Sequence, residues 1–458
     1  MRDPGSYRDP SGFIFRREGV LYRQVNRSFA EEWSAFLASG LYRDLTEHGL
    51  LVRHEPESKA LALSGDAEAV IRPHEIRFIS YPYEWSFTQL RDAALMTLEI
   101  QERALARGQI LRDATPFNVQ FEGSAPIWID TLSFAPLEVA RPWPAYRQFC
   151  EGFLAPLALM AYRDPRLGLL LADLLDGIPL ELASRLMPGR TRFRPGLAAH
   201  LHLHAAAQRQ ARDRRPSSPV GRRTPAMNLT RHRAIVSSLR KAVGSLRTPP
   251  KGVWEEYTRV TSYSDAAARS KAALVDELLK GSEGRTVLDA GANDGTFSQM
   301  AASQGRDVVA LDSDRGSIDA LYRHLRDIGQ STVLPLVADI ANPSPALGWA
   351  GEERRSLLDR LQVDLVLCLA LVHHLAIGRN VPLPMIFDVF ARLGRHVILE
   401  WVPKEDPMAQ YLLAGRWDVF PTYTIDGLRR AASSRFTIVR ESPIDDSARV
   451  LLNLERTT

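Results

Sequence analysis

In the second half of the chain, short continuous runs of Val, Leu and Ile alternate with stretches whose apolar residues recur every three or four positions. The runs at 286–288, 307–311, 332–337, 365–369 and 396–399 have no polar face, which predicts strands buried on both sides. Between them, 271–279, the stretch reaching Met300, and 317–328 carry the helical period. Strands alternating with helices imply a parallel sheet wound on both faces. Two final β-rich pieces, 436–439 and 449–452, have no helix between them and are expected to pair antiparallel. The first half is less regular. There 76–87 reads as a hinge strand and 90–108 as a helix, with a hairpin across Asn118-Val-Gln-Phe and Ile127-Trp-Ile129.

The chain has 458 residues, 45% of them hydrophobic and 24% charged. That is an ordinary soluble composition, long enough for two or three domains at ~150 residues each. The net charge of +4 is misleading. Segment 209–251 holds twelve Lys or Arg against one acid, Asp213, so the rest is net acidic. The segment is rich in Pro and Ser and has no interleaved aromatics to stack bases. It reads as a solvated linker, with an arm for an acidic partner such as RNA as the alternative. The division is then an α+β domain at 1–205, a basic linker at 206–251, and an α/β domain at 252–458.

Two cysteines, Cys150 and Cys368, supply neither a disulfide framework nor a four-thiolate metal site. The N-terminus, MRDPGSYRDPSG, is polar, and the most apolar stretch, 153–162, is about half of the ~20 residues a membrane span needs. A cytoplasmic protein with no membrane partner is expected.

The strongest chemical signal is TVLDAGANDGTF at 286–297. An apolar strand ends in Asp289, and Gly291 and Gly295 flank Asn293 before a helix. Glycines there let the backbone turn tightly and approach a ligand. A second strand ends in LDSD and sets Asp312 about 20 residues on, where a carboxylate can take both hydroxyls of a ribose. A third ends in VADI with Asp339. The spacing is not Gly-x-Gly-x-x-Gly, and Asp289 suits an ammonium better than a pyrophosphate. S-adenosylmethionine offers an ammonium, a ribose and an exocyclic amine, all of which seek acceptors.

On these residues, 253–458 resembles the class I S-adenosylmethionine-dependent methyltransferases, with Asn293 in place of the usual middle glycine. The resemblance implies a Rossmann-like sheet of seven strands. It also implies ribose binding by Asp312 and adenine flanked by Asp339 and Ile340. Ala292, Ser313 and Leu369 complete the strand-end cofactor set, and no metal is expected for methyl transfer. In similar enzymes a leading segment covers the cofactor, which makes 253–271, with Tyr263 and Lys271, a lid. The pattern from Trp254 through PSPALGW, LVHHL and EWVPKEDPM looks like a subgroup that includes nodulation-associated methyltransferases, implying a carbohydrate-type or other small-molecule acceptor.

His373 and His374 follow the fourth strand, where similar enzymes face the methyl group; either can take a proton from a hydroxyl or amine, or shape the pocket. Glu400 and Trp401 end the fifth strand and are expected near the acceptor. Trp349, Arg354, Arg355 and Lys404 are candidate acceptor contacts, Trp349 and the Arg pair as a clamp or as anchors of a long insert.

In the first half, 111–134 is similar to the loops of protein-kinase-like folds. This implies Asp113 orienting a hydroxyl and Asn118 and Asp130 on magnesium. The departures are a missing Gly-rich loop, Lys59 as the one lysine before 241, and Thr131-Leu132 after Asp130. The alternatives to a methyltransferase are therefore a kinase-like phosphotransferase fused to one, or a non-catalytic cofactor-binding module. His200, His202 and His204 in AAHLHLHAAA favour a helix and a structural role over a metal site.

Overall fold

A computed structural model describes residues 2–213, 227–247, 264–414 and 417–457. Packing divides the chain into Met1–Pro250 with Leu347–Arg354, and Lys251–Ala346 with Arg355–Thr458.

The first unit opens with strands β1 (Gly12–Arg17), β2 (Val20–Asn26), β3 (His54–Glu57) and β4 (Ala67–Pro73), an antiparallel sheet in the order β1-β2-β4-β3. Phe13, Phe15 and Val70 give it an apolar face. A long helix, Phe87–Ala106, follows. Its start is fixed by a capping box: Ser86 Oγ takes the Gln89 N–H at 3.3 Å and Gln89 Oε1 takes the Ser86 N–H at 2.9 Å. Next come β5 (Gln109–Leu111), β6 (Val119–Glu122), β7 (Ala125–Trp128) and β8 (Phe134–Pro136). The hairpin β6–β7 forms as the sequence suggested.

Two expectations change here. Residues 76–86 make no strand. Gln120 instead holds the backbone of Ser80, accepting its N–H at 2.9 Å and donating to its carbonyl at 3.0 Å, and Pro82 starts a short 3-10 turn. Within the stretch read as a linker, Leu229–Ser245 is a helix that buries Val236, Leu239 and Val243 and packs along Phe87–Ala106. Residues 214–226 and 248–263 lie outside the described residues.

The second unit holds β9 (Thr286–Ala290), β10 (Asp307–Asp312), β11 (Val333–Val337), β12 (Val363–Cys368), β13 (Gly394–Trp401), β14 (Phe436–Pro443) and β15 (Val450–Arg456). They form one seven-stranded sheet, ordered β11-β10-β9-β12-β13-β15-β14. The first five strands run parallel. The final pair is antiparallel, with β15 inserted between β13 and β14. Every residue of β11 is buried, and its Pro335 is tolerated because β11 is an edge. Val287, Leu365, Leu367 and Ile398 lie in the core shared with the flanking helices. This is the seven-stranded sheet the resemblance implied. Among the described residues, no helix is long and apolar enough to cross a membrane.

Candidate active site

Strand order reverses at β9 and β12, and ligands of such sheets bind beyond the carboxyl ends of the strands at that point. Past the end of β9 the chain turns through Gly291 (φ +82°), Asn293 (φ +49°) and Gly295 (φ +77°) into the helix Thr296–Ser303. The N–H groups of Gly291 and Ala292 both donate to the Leu311 carbonyl, at 2.8 and 2.9 Å, which pins the turn to β10. Asn tolerates the left-handed region better than most residues. In that conformation the Asn293 N–H donates to Asp312 Oδ2 at 2.9 Å. The glycine turn and the acid at the end of β10 are therefore one piece.

The three acids differ in setting. Asp289 is buried, takes the Ser298 hydroxyl at 2.6 Å, and has its pKa pushed up to about 6 by burial, against that bond. Asp312 is also raised by burial, while the N–H groups of Asn293 and Asp314 oppose the rise. Asp314, capping Arg315–Asp327, takes the Ser317 N–H at 2.6 Å. Asp339 pairs with exposed Arg379 at 2.7 Å and takes the Ala341 N–H at 2.9 Å. Ser313 is exposed, Ile340 half-buried, and Ala292 and Leu369 are buried.

Beyond β12, Ala370 holds a positive φ of 50°, a strained conformation for a residue with a Cβ and one found at functional sites. His373 follows, 1% exposed, with its ring 4.2 Å from that of half-buried His374. His373 Nδ1 is buried and has no hydrogen-bond partner. Burial holds both imidazoles below their ordinary range, helped for His373 by His374 and the charges of Arg449 and Lys271 and for His374 by Arg449, and His373 lies well below it.

Glu400 is fully buried between two cations, 2.8 Å from Lys271 Nζ and 3.0 Å from Arg449 Nη1. Arg449 also grips Asp406, from Nε at 2.7 Å and Nη2 at 3.1 Å. Lys271 Nζ lies 4.8 Å above the Phe297 ring. Glu400, a candidate catalytic carboxylate from the sequence, is thus an internal counter-ion. Arg449 was missed because only the insertion of β15 brings it beside β13, where Trp401 registers with Val450. Its one trace is an Arg opening an apolar run, VLLNL.

Other candidates sit elsewhere. Trp401 is buried against Tyr423, whose hydroxyl donates to the Val402 carbonyl at 2.7 Å, so it packs the loop after β13. Lys404 pairs with Asp418 at 2.8 Å. The clamp of Trp349 with an Arg pair does not form. Trp349 is 75% exposed, while Arg354 lies over the Phe117 ring at 4.4 Å, both in the first unit. Arg355 belongs to the second unit and donates to the Asp359 carbonyl at 2.6 Å. Tyr263 lies outside the described residues.

In the first unit, Asp113, Asn118 and Asp130 do meet. Asp113 takes the Thr115 N–H at 3.1 Å, and burial together with the Asp130 charge raises its pKa. Asn118 Nδ2 donates to Ser133 Oγ at 3.3 Å. Asp130 pairs with Arg23 and takes the Ser133 hydroxyl and, at 3.2 Å, the Leu132 N–H. Its carboxyl lies below the usual range because Arg23 and these bonds outweigh burial. His200 lies between Tyr146 and Ser238 at 2.8 Å each, and His202 between Ser184 and Thr191 at 2.8 and 2.9 Å. His204 stacks on Tyr146. Among the described residues, no group of three or more His, Cys, Asp or Glu is placed to hold a metal ion.

No family model matches the chain. Among solved structures, the chain is similar to WbdD (18% identity, 44% of this chain and 42% of that one, TM-score 0.32). It is also similar to the N-methyltransferase NodS from Bradyrhizobium japonicum WM9 (15%, 43% and 99%, TM-score 0.32). A third is the magnesium protoporphyrin IX methyltransferase ChlM from Synechocystis PCC 6803 with bound SAM (16%, 44% and 91%, TM-score 0.30). A curated relative is far nearer in sequence: the nodulation protein NoeA of Rhizobium meliloti (strain 1021) is 33% identical over 460 residues, covering 99% of this chain and 96% of its own. With that identity along nearly the whole of both chains, the protein belongs to the NoeA family.

Proposed function

We propose that the protein transfers a methyl group from S-adenosylmethionine to a small-molecule or carbohydrate-type acceptor. The observation that carries this reading is the closed unit of the Asn293 turn and Asp312 at the sheet's switch point, with buried Asp289 behind it. The residues present fit the cofactor. Asp289 would face its ammonium, Asp312 keeps acceptor capacity for ribose hydroxyls, and Asp339 with Ile340 would flank the adenine. S-adenosylmethionine, when bound, supplies an electrophilic methyl group on a positively charged sulfur.

The chain's own part is largely alignment, since effective molarities of well-oriented reactants reach ~10⁵–10⁸ M. His373, uncharged near neutral pH and with Nδ1 unpartnered, would accept a hydrogen bond from the acceptor's hydroxyl or amine. Glu400 would hold Lys271 and Arg449 in place. The first unit would recognise the acceptor or a partner. The nodulation name of the relative fits the carbohydrate-type acceptor that the sequence resemblance implied, and two buried free cysteines fit a cytoplasmic setting.

The test is transfer of isotope-labelled methyl from S-adenosylmethionine to small-molecule and oligosaccharide pools. Label appearing in an acceptor with the wild type, and lost with Asp312→Ala, supports the reading. Cofactor binding with no transfer to any pool would replace it with a non-catalytic binding module.

A further inference from the structure

The buried charges around the imidazole pair form a single chain of alternating sign, Lys271–Glu400–Arg449–Asp406. Its members come from four places: the helix Asp265–Gly281, the end of β13, the turn before β15, and the start of the helix Pro407–Leu413. Lys271, Glu400 and Arg449 are 7%, 0% and 3% exposed. Asp406 also takes the Met408 N–H at 2.9 Å, so the chain ends on a helix cap. A salt bridge this deeply buried is weak evidence for stability, since apolar residues of similar volume often do as well. The functional consequence lies in what it faces.

The His373 ring lies 4.2 Å from that of His374 on its own segment, and the charges that act on it are those of His374, Arg449 and Lys271. Both cations are held by Glu400. Burial, with the Glu400 and Asp289 charges, raises Cys368 at the end of β12, and burial raises Tyr423, so both stay neutral. No carboxylate is bonded to either imidazole among the described residues.

We propose that Arg449 is a positioning residue for methyl transfer. It bridges Glu400 to Asp406, fixing Lys271 on the cofactor side and the loop after β13 on the acceptor side. With Lys271 it sets positive charge against His373 and His374, so that the pair accepts a hydrogen bond from the acceptor and does not hold a proton. This rests on the methyl-transfer reading above.

The test uses the full chain with ¹³C-labelled histidine, the two resonances being assigned with His373→Gln and His374→Gln. Arg449→Met removes the charge, and Arg449→Met with Asp406→Asn does so without leaving Asp406 unpaired. Arg449→Lys keeps the charge and loses the two-pronged grip. The wild-type pair is expected to titrate below the ordinary histidine range. In the double variant at least one of the two midpoints rises by about one pH unit, and S-adenosylmethionine binds about threefold or more weakly by calorimetry. Arg449→Lys keeps the wild-type midpoints. A wild-type pair titrating in the ordinary histidine range, or a folded double variant with unchanged midpoints, would overturn the proposal. A wild type that binds no S-adenosylmethionine sinks the methyl-transfer reading instead, and the midpoints still report on the placed charge.

Discussion

Gly295→Ala isolates how tightly the cofactor turn is built. Gly295 sits at φ +77°, and a Cβ there would press into Leu321, with Cδ2 at 2.8 Å and Cγ at 3.1 Å. Leu321 is 2% exposed and belongs to the core of the second unit, so it has little room to retreat. Two costs add. The left-handed backbone costs an alanine roughly 1–2 kcal/mol, and forcing a methyl into a packed core costs about 1–3 kcal/mol. The expected loss is about 2–5 kcal/mol. Gly305→Ala is the control in the same unit, because Gly305 has φ +80° and nothing within 4 Å of an added Cβ. It should lose roughly 1–2 kcal/mol from the backbone alone. Urea unfolding of both variants, followed by tryptophan fluorescence and circular dichroism, measures the difference. Equal stabilities would refute the argument that close packing on Leu321, beyond the turn geometry, demands glycine.

Cofactor affinity should fall as pH drops through about 6, because protonation removes the Asp289 charge that would face the ammonium; calorimetry across pH checks this, and Asp289→Asn should bind weakly with a flat profile. By linkage, the raised pKa of Asp289 stabilises the ligand-free fold fully below ~pH 4, and that contribution is lost as pH rises through about 6. In the first unit, Asp130→Ala leaves Arg23 buried without its partner and should cost about 3–5 kcal/mol, while adding Arg23→Met should restore much of it in thermal melts. Ser86→Ala removes the cap of Phe87–Ala106 and should cost about 1 kcal/mol in urea unfolding.

The second unit was legible because its strands advertise themselves. A run such as VLPLV, buried along its whole length, has no other simple reading. The helix preceding β9, the turn at Gly291–Gly295 and the acids at successive strand ends could likewise be placed from spacing alone. Glu400 was visible as a residue, yet its role was not. Its partners arrive from 129 residues before and 49 residues after it in sequence, and the insertion of β15 between β13 and β14 has no local signature. Trp349 and Arg354 misled for a related reason. They belong to the first unit although the sequence on either side belongs to the second, and Arg354 packs there on Phe117. The expected strand over 76–87 failed because Gln120, forty residues on, satisfies the Ser80 backbone in place of a strand neighbour. For Glu400, Arg354 and Ser80 the deciding partner is distant in sequence, where periodicity cannot see it.

The proposed pocket for S-adenosylmethionine is the turn with Asp312. Calorimetric titration of the cofactor into the wild type, Asp312→Asn and Asp312→Ala tests it most directly. Saturable binding by the wild type is expected, weakened tenfold or more by Asp312→Ala, about 1.4 kcal/mol, with Asp312→Asn in between. No binding to a folded wild type, or binding that both variants leave untouched, would contradict it.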